Sequence, residues 1–210
     1  MKTLYFVRHG QTEWNAIRRM QGQWNSDLND IGRHQADING QFLKPLDIEY
    51  LVASPLDRTT QTAEIINQHL NLDVIFDDRL KEWDCGDWSG EMWDDVGNKW
   101  PEEFTQWQAD QYSYRGPNCE NYPDMIQRSS PFLTELMALP YDRIAVVSHG
   151  MIGRVMVSTM LKHTPDEMFE YSQTNDTVFQ LTETDGAGHF IVQHFVGGGE
   201  PEPGLPPRHY

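Results

Sequence analysis

Cysteine is scarce, with only Cys85 and Cys119 among 210 residues. Two thiols cannot staple a disulfide framework, and neither has a metal-ligand neighbour at useful spacing, so the fold must rest on a packed core. Positive charge is scarce as well. Sixteen Lys and Arg stand against 32 Asp and Glu, a formal net charge of −16. That balance excludes a nucleic-acid partner, because a phosphate backbone demands a basic footprint. Long apolar runs are missing too: no stretch approaches the roughly 20 residues that cross a bilayer. The apolar start is cut at Arg8, too early for a signal-peptide core, and the expected location is the cytoplasm. What is present, 38% hydrophobic and 23% charged residues, is the composition of one soluble domain with a sizeable core.

Strand and helix patterns alternate along the chain. Short apolar runs at residues 3–7, 50–54 and 143–148 read as buried strands, and 177–181 and 190–195 as two more. Helical patterns cover about 30–43, with Asn29 as N-cap, then 58–70, 122–139 and 151–161. This βαβα order predicts an α/β fold with a mostly parallel sheet and helices on both faces. Residues 83–120 break the alternation. Trp83, Trp88, Trp93, Trp100 and Trp107 sit there among many carboxylates, which predicts a helical insertion over the sheet, either a satellite core with an acidic outer face or a substrate lid. The domain is expected to span 1–196. Residues 197–210, with four glycines and four prolines, read as a flexible tail, a mobile end or a strap.

An acidic chain that handles anions must concentrate positive charge locally. The strand ends show where. The first strand runs into Arg8-His9-Gly10, the strand at 143–148 runs into His149-Gly150, and Arg58 opens the helix after the strand at 50–54. Ligands of open α/β sheets bind beyond the carboxyl ends of the strands. A single Arg-His-Gly is a weak signal, but two strands ending in His-Gly are hard to explain by packing. Arg58 at a helix N-terminus is out of place against the dipole unless a dianion binds there.

In this combination the chain resembles the histidine phosphatase superfamily, the group that includes cofactor-dependent phosphoglycerate mutases. The resemblance runs in order through Arg8-His9-Gly10, Gln21-Gly22, Leu28 with Gly32 and Gln35-Ala36. It continues through Ser54-Pro55-Leu56 with Arg58 and Thr62-Ala63, residues 80–90, and Ser148-His149-Gly150. It implies a three-layer α/β sandwich in which Arg8, His9, Arg58 and His149 grip one phosphoryl group. It also implies an acid–base carboxylate at Glu82, with Asp84 the other candidate, and a phosphate contact at Asn15. Asn15 is equally read as a turn cap and Gln21 as a loop-shaping residue; Gln21, Gly22 and Gly150 complete the expected phosphate-binding set. The implied chemistry is attack of neutral His9 on phosphorus to give phosphohistidine, then hydrolysis, with no metal and no cofactor.

The resemblance leaves phosphatase and mutase open, with a non-catalytic phosphate-binding module as a third reading. The insertion offers only Lys99, Arg115 and Arg128 as cations, without an adjacent arginine pair. A second anion is therefore expected to be poorly held, which favours hydrolysis of small phosphate monoesters. The acidic, tryptophan-rich insertion further suggests a preference for esters bearing an amine. The expected partner is a small phosphorylated substrate, and the reading allows a homodimer.

Overall fold

Residues 4–7 and 144–147 are apolar and buried at every position because both faces of their strands are covered. The computed structural model describes residues 1–208; His209 and Tyr210 lie outside the described residues. The elements in chain order are β1 (Thr3–Arg8), α1 (Glu13–Ala16), α2 (Asp30–Leu43), β2 (Tyr50–Ala53), α3 (Asp57–Leu70) and β3 (Val74–Phe76). Then follow α4 (Trp93–Lys99), α5 (Pro101–Ala109), α6 (Tyr122–Ala138), β4 (Arg143–Ser148), α7 (Gly150–Leu161) and α8 (Pro165–Phe169). The chain closes with β5 (Thr177–Glu183), β6 (Phe190–Val196) and β7 (Glu202–Pro203).

The seven strands form one sheet in the order β3-β2-β4-β1-β5-β6-β7. β3, β2, β4 and β1 are parallel neighbours, and the connections β1–β2, β2–β3 and β3–β4 each carry helix, α3 alone making the β2–β3 crossover. β5, β6 and β7 continue antiparallel, since the short β5–β6 link closes only as a hairpin. Side chains alternate across the sheet. Leu4, Phe6, Val52, Ile144 and Val146 enter one core with Met125, Phe132 and Leu136 of α6 and Ile152 and Val155 of α7. Tyr5, Val7, Leu51, Ala53, Ala145 and Val147 enter the other with Leu43 of α2 and Ala63 and Ile66 of α3. The result is the expected three-layer sandwich with helices on both faces. No helix among the described residues is long and apolar enough to cross a membrane.

Two local features fix the end of β1. Asn29 caps α2 by accepting from the Gly32 amide, as the sequence indicated. Gly10 and Gly32 meet backbone to backbone, so a Cβ on Gly10 would lie 2.1 Å from the Gly32 carbonyl oxygen. No side chain fits there, and the loop carrying His9 is seated on the first turn of α2.

The insertion resolves as a satellite core. Trp88 is fully buried and Trp83 nearly so, and Trp88, Trp93, Phe104 and Trp107 pack edge to face. Asp94, Asp95 and Glu102 point outward to solvent. Of the two forms expected for the tail, the described residues take the strap. Glu202–Pro203 pairs with β6, the Gly204 amide donates to the Val192 carbonyl, and the Arg208 amide donates to the Glu170 carbonyl at 2.8 Å. Leu205 packs on the core beside it. Backbone pairing and one anchored leucine supply what the Gly- and Pro-rich composition lacks.

Candidate active site

Parallel pairing of β1 with β4 brings their carboxyl ends to the same edge, and the His9 amide donates to the Ser148 carbonyl at 3.0 Å. His9 and His149 therefore stand side by side, with ring centroids 5.2 Å apart and edge to face. Both are buried, at 3% and 0% exposure. His9 Nδ1 lies 2.7 Å from its neighbour's carbonyl, Gly10 O, and must carry the proton to make that bond. The tautomer leaves Nε2 unprotonated. Thr62 Oγ1 accepts from the Gly10 amide, and Asn175 Nδ2 donates to the His9 carbonyl, so the backbone on both sides is held.

Arg58, in the first turn of α3, is 1% exposed and sits between the two rings. Its Nε–H is 3.1 Å from His149 Nδ1 and 3.3 Å from His9 Nε2. Its Nη1 donates to Trp24 O at 2.8 Å and its Nη2 to Gly22 O at 2.7 Å. With Nδ1 as acceptor, His149 donates through Nε2 to Ser54 Oγ at 2.8 Å. Arg8 donates through Nη1 to the Gln173 carbonyl at 2.6 Å, while its buried Nε has no partner. Gln173 is itself fixed, its side-chain amide donating to Phe6 O and Thr177 O.

Burial governs the protonation states. His9 and His149 are pushed well below the ordinary imidazole value, first by burial and then by the Arg58 cation. Arg58 is lowered to about 10 by burial, with Glu82 opposing, so it remains charged at neutral pH. The site thus pairs neutral imidazoles with arginine cations. Cys85 also lines the pocket, but burial raises its thiol to about 11, which removes it as a rival nucleophile.

These shifts have a consequence for stability. In the unfolded chain a histidine titrates near 6.5, whereas the two buried rings bind their protons only at much lower pH. Between those values the unfolded state holds more protons, so stability falls as pH drops below about 6.5, by up to ~1.4 kcal/mol per pH unit per ring. Urea unfolding at pH 7, 6 and 5 should show the midpoint declining. The His9→Asn variant should decline less steeply, and a parent curve flat over that interval contradicts neutral burial.

Glu82 lies at the N-terminus of α7. Its Oε1 accepts from the Trp83 and Ile152 amides at 2.8 and 3.0 Å, and its Oε2 from the Met151 amide at 3.1 Å. Asp84, the other acid candidate, instead accepts from the Gly86 amide and is not among the pocket-lining residues. Asn15 is a turn cap, one of its two anticipated purposes. Its Oδ1 accepts from the Thr12 amide in a capping box around α1, and the residue lines the pocket. Gln21 lines it too, with Oε1 buried and unpartnered. Gly22 has φ +52°, and a Cβ there would lie 2.4 Å from Cys85 Sγ, so only glycine presents its carbonyl to Arg58. Gly150 opens α7 against Arg8, where a Cβ would come within 3.3 Å of the guanidinium.

The pocket, about 300 Å³, brings Arg8, His9, Asn15, Gln21, Gly22, Arg58, Glu82 and Gly150 together; His149 stands behind it, on His9 and Arg58. It also holds Arg19, Trp93, Arg154 and Gln173, which the sequence reading missed. Helical spacing marked Arg154, four residues after Gly150 and on the same face. Gln173 left no such signal. Among the described residues no group of three or more His, Cys, Asp and Glu is placed to hold a metal ion.

Lys99, Arg115 and Arg128 are bound to Glu91, Asp124 and Glu120, so they offer nothing to a ligand. The charged groups lining the pocket are four arginines and Glu82, and none of the arginines belongs to the insertion. The insertion's tryptophans pack on one another and on the core, where indole burial is most favourable, and Trp83 and Trp93 also line the pocket.

A buried imidazole with an unprotonated Nε2 thus stands among arginine cations at the strand ends. The chain belongs to the histidine phosphatase superfamily (branch 1), whose model matches residues 4–194. It is 35% identical over 162 residues to phosphoserine phosphatase 1 of Hydrogenobacter thermophilus, covering 77% of each chain. It is 38% identical over 165 residues to the probable phosphoglycerate mutase GpmB of Cronobacter sakazakii, covering 77% of this chain and 75% of that one. Among solved structures, a mycobacterial glucosyl-3-phosphoglycerate phosphatase complexed with VO3 superposes with a TM-score of 0.80 at 28% identity, covering 93% of this chain and 98% of that one.

Proposed function

We propose that the protein is a phosphatase that hydrolyses small phosphate monoesters through a phosphoryl group carried on His9 Nε2, with no metal or cofactor. The observation that carries the reading is the fixed tautomer of His9. Its Nδ1 proton is held by Gly10 O, and the unprotonated Nε2, beside Arg58 Nε–H at 3.3 Å, belongs to the ring that lines the cationic pocket.

The steps follow from the geometry. Arg8 and Arg58 receive the ester's oxygens as charge spreads over them in the transition state. His9 Nε2 forms a bond to phosphorus as the ester P–O bond breaks, and the leaving alkoxide takes a proton from Glu82. A water then gives its proton to the Glu82 carboxylate and attacks phosphorus, breaking the N–P bond and restoring neutral His9. General acid–base help of this kind is worth about 10²–10⁴-fold. The relatives include proteins named as phosphatases and as a probable mutase, and both names fit a phosphohistidine.

The test is phosphate release from a panel of small esters in excess chelator, with a rapid quench to trap labelled protein. Chelator-resistant release, with label that survives alkali and is lost in acid, is the expected result. Isomerised product without free phosphate identifies mutase-type transfer instead, and release abolished by chelator rejects the metal-free route.

A further inference from the structure

We propose that Arg128 is a positioning residue: it holds residues 79–82 in place and, through them, sets Glu82 at the N-terminus of α7. In the phosphatase reading above, on which this rests, Glu82 moves the proton.

Residues 81–85 include that carboxylate and have no regular structure. A segment outside helix and sheet must find other partners for its backbone groups. Arg128 supplies them from α6. Its Nη1 donates to the carbonyls of Arg79 and Lys81 at 2.8 and 2.9 Å, and its Nη2 to that of Glu82 at 3.4 Å. The remaining donors close a fork on Glu120, Nε to Oε1 at 2.9 Å and Nη2 to Oε2 at 2.8 Å. All five N–H groups of the guanidinium are thereby used.

Glu120 extends the grip past Glu82. Its Oε2 also accepts from the Asp84 amide at 3.0 Å, its own amide donates to Asp84 O, and Trp83 Nε1 donates to its carbonyl at 2.6 Å. The backbone is therefore fixed on both sides of Glu82, whose carboxylate lies on the Trp83, Met151 and Ile152 amides. Arg128 is not among the pocket-lining residues, so it acts through Glu82 rather than on the ester.

A plain ion pair does not need this arrangement. The Lys99 and Arg115 side chains are 50% and 60% exposed and each meets one carboxylate, whereas Arg128 is 20% exposed. Ordering so long a side chain costs rotamer freedom, which the charge-assisted fork and three carbonyl bonds offset. Misplacing a reacting group by about 1 Å can cost about 10²-fold in rate. A shift of residues 79–82 falls directly on proton transfer.

Ethyl phosphate and 4-nitrophenyl phosphate test this, because ethoxide needs the Glu82 proton to leave and 4-nitrophenolate does not. Arg128→Met should lower kcat/KM for ethyl phosphate at least about tenfold more than for 4-nitrophenyl phosphate. Inorganic phosphate should inhibit parent and variant alike, to within about threefold, since Arg8 and Arg58 are untouched. Glu82→Gln should show the same bias, and adding Arg128→Met to it should deepen the bias by less than about threefold. A loss common to both esters, or a bias that adds in full to that of Glu82→Gln, overturns the proposal.

Amide exchange at Met151 and Ile152, followed by NMR, reads the place of Glu82 without turnover, because its carboxylate holds both N–H groups. In Arg128→Met it should quicken at least about tenfold more than exchange in β4. Quickening no greater than in β4 overturns the proposal. Release from neither ester, or no bias in Glu82→Gln, falls on the phosphatase reading instead, and exchange alone then decides. Should Arg128→Met not fold, Arg128→Lys carries the same measurements, since one ammonium cannot both make the fork and reach three carbonyls.

Discussion

The His9→Ala variant should lose phosphate release by on the order of 10⁵-fold while still binding inorganic phosphate. The two halves of that result have separate origins. In the proposed mechanism the ring supplies the atom that attacks phosphorus, and His149 does not replace it: it stands behind the pocket with its Nε2 proton on Ser54 Oγ. The anion, by contrast, is held by Arg8 and Arg58, whose anchors at Gln173 O, Trp24 O and Gly22 O do not involve His9. Removing the ring opens space to the pocket rather than a sealed cavity, so water enters and the fold is retained. Phosphate binding by calorimetry alongside single-turnover rates separates the two halves. A variant that keeps a tenth of the parent rate removes His9 as the nucleophile.

Arg58→Ala should lower kcat/KM by about 10³–10⁵-fold, the range seen when an arginine that stabilises a transferring phosphoryl group is removed. Its loss is felt in three ways. The transition state loses a cation, the Trp24 and Gly22 carbonyls lose their donors, and both rings lose the charge that, after burial, holds them below the ordinary imidazole value. The last effect has its own sign. With the cation gone, His9 protonates at higher pH, so the acid limb of the pH–rate profile moves up in the variant. Arg58→Lys should recover less than about tenfold, because one ammonium cannot reach two carbonyls and two imidazoles in a fixed plane. A lysine variant with parental activity and an unmoved acid limb would show that only net charge matters at this position.

Much of the site could be read from the chain because strand ends are local events. An apolar run followed by His-Gly announces both a buried strand and a side chain delivered at its carboxyl edge, and this happens twice, at His9 and His149. Arg58 was legible from a different conflict, a cation at a helix start where the dipole disfavours it. The layers followed from the same periodicity, since β1, β2 and β4 are apolar on both faces and so demand helices above and below.

What the sequence could not decide was who meets whom across long separations. The register of β1 against β4 places Arg58 between two histidines that are 140 residues apart in the chain, and so selects both tautomers. Arg8 is anchored on a carbonyl 165 residues away. The cations of the insertion look available in one dimension, but Lys99, Arg115 and Arg128 are spent on nearby carboxylates in three. Arg19 and Arg154, which the sequence reading passed over, line the pocket without an acidic partner among the described residues. Periodicity and turn chemistry are encoded within a few residues and set the scaffold and its reactive edge. Charge pairing and side-chain direction depend on packing between distant elements, so the tertiary structure alone determined which arginines are free to bind.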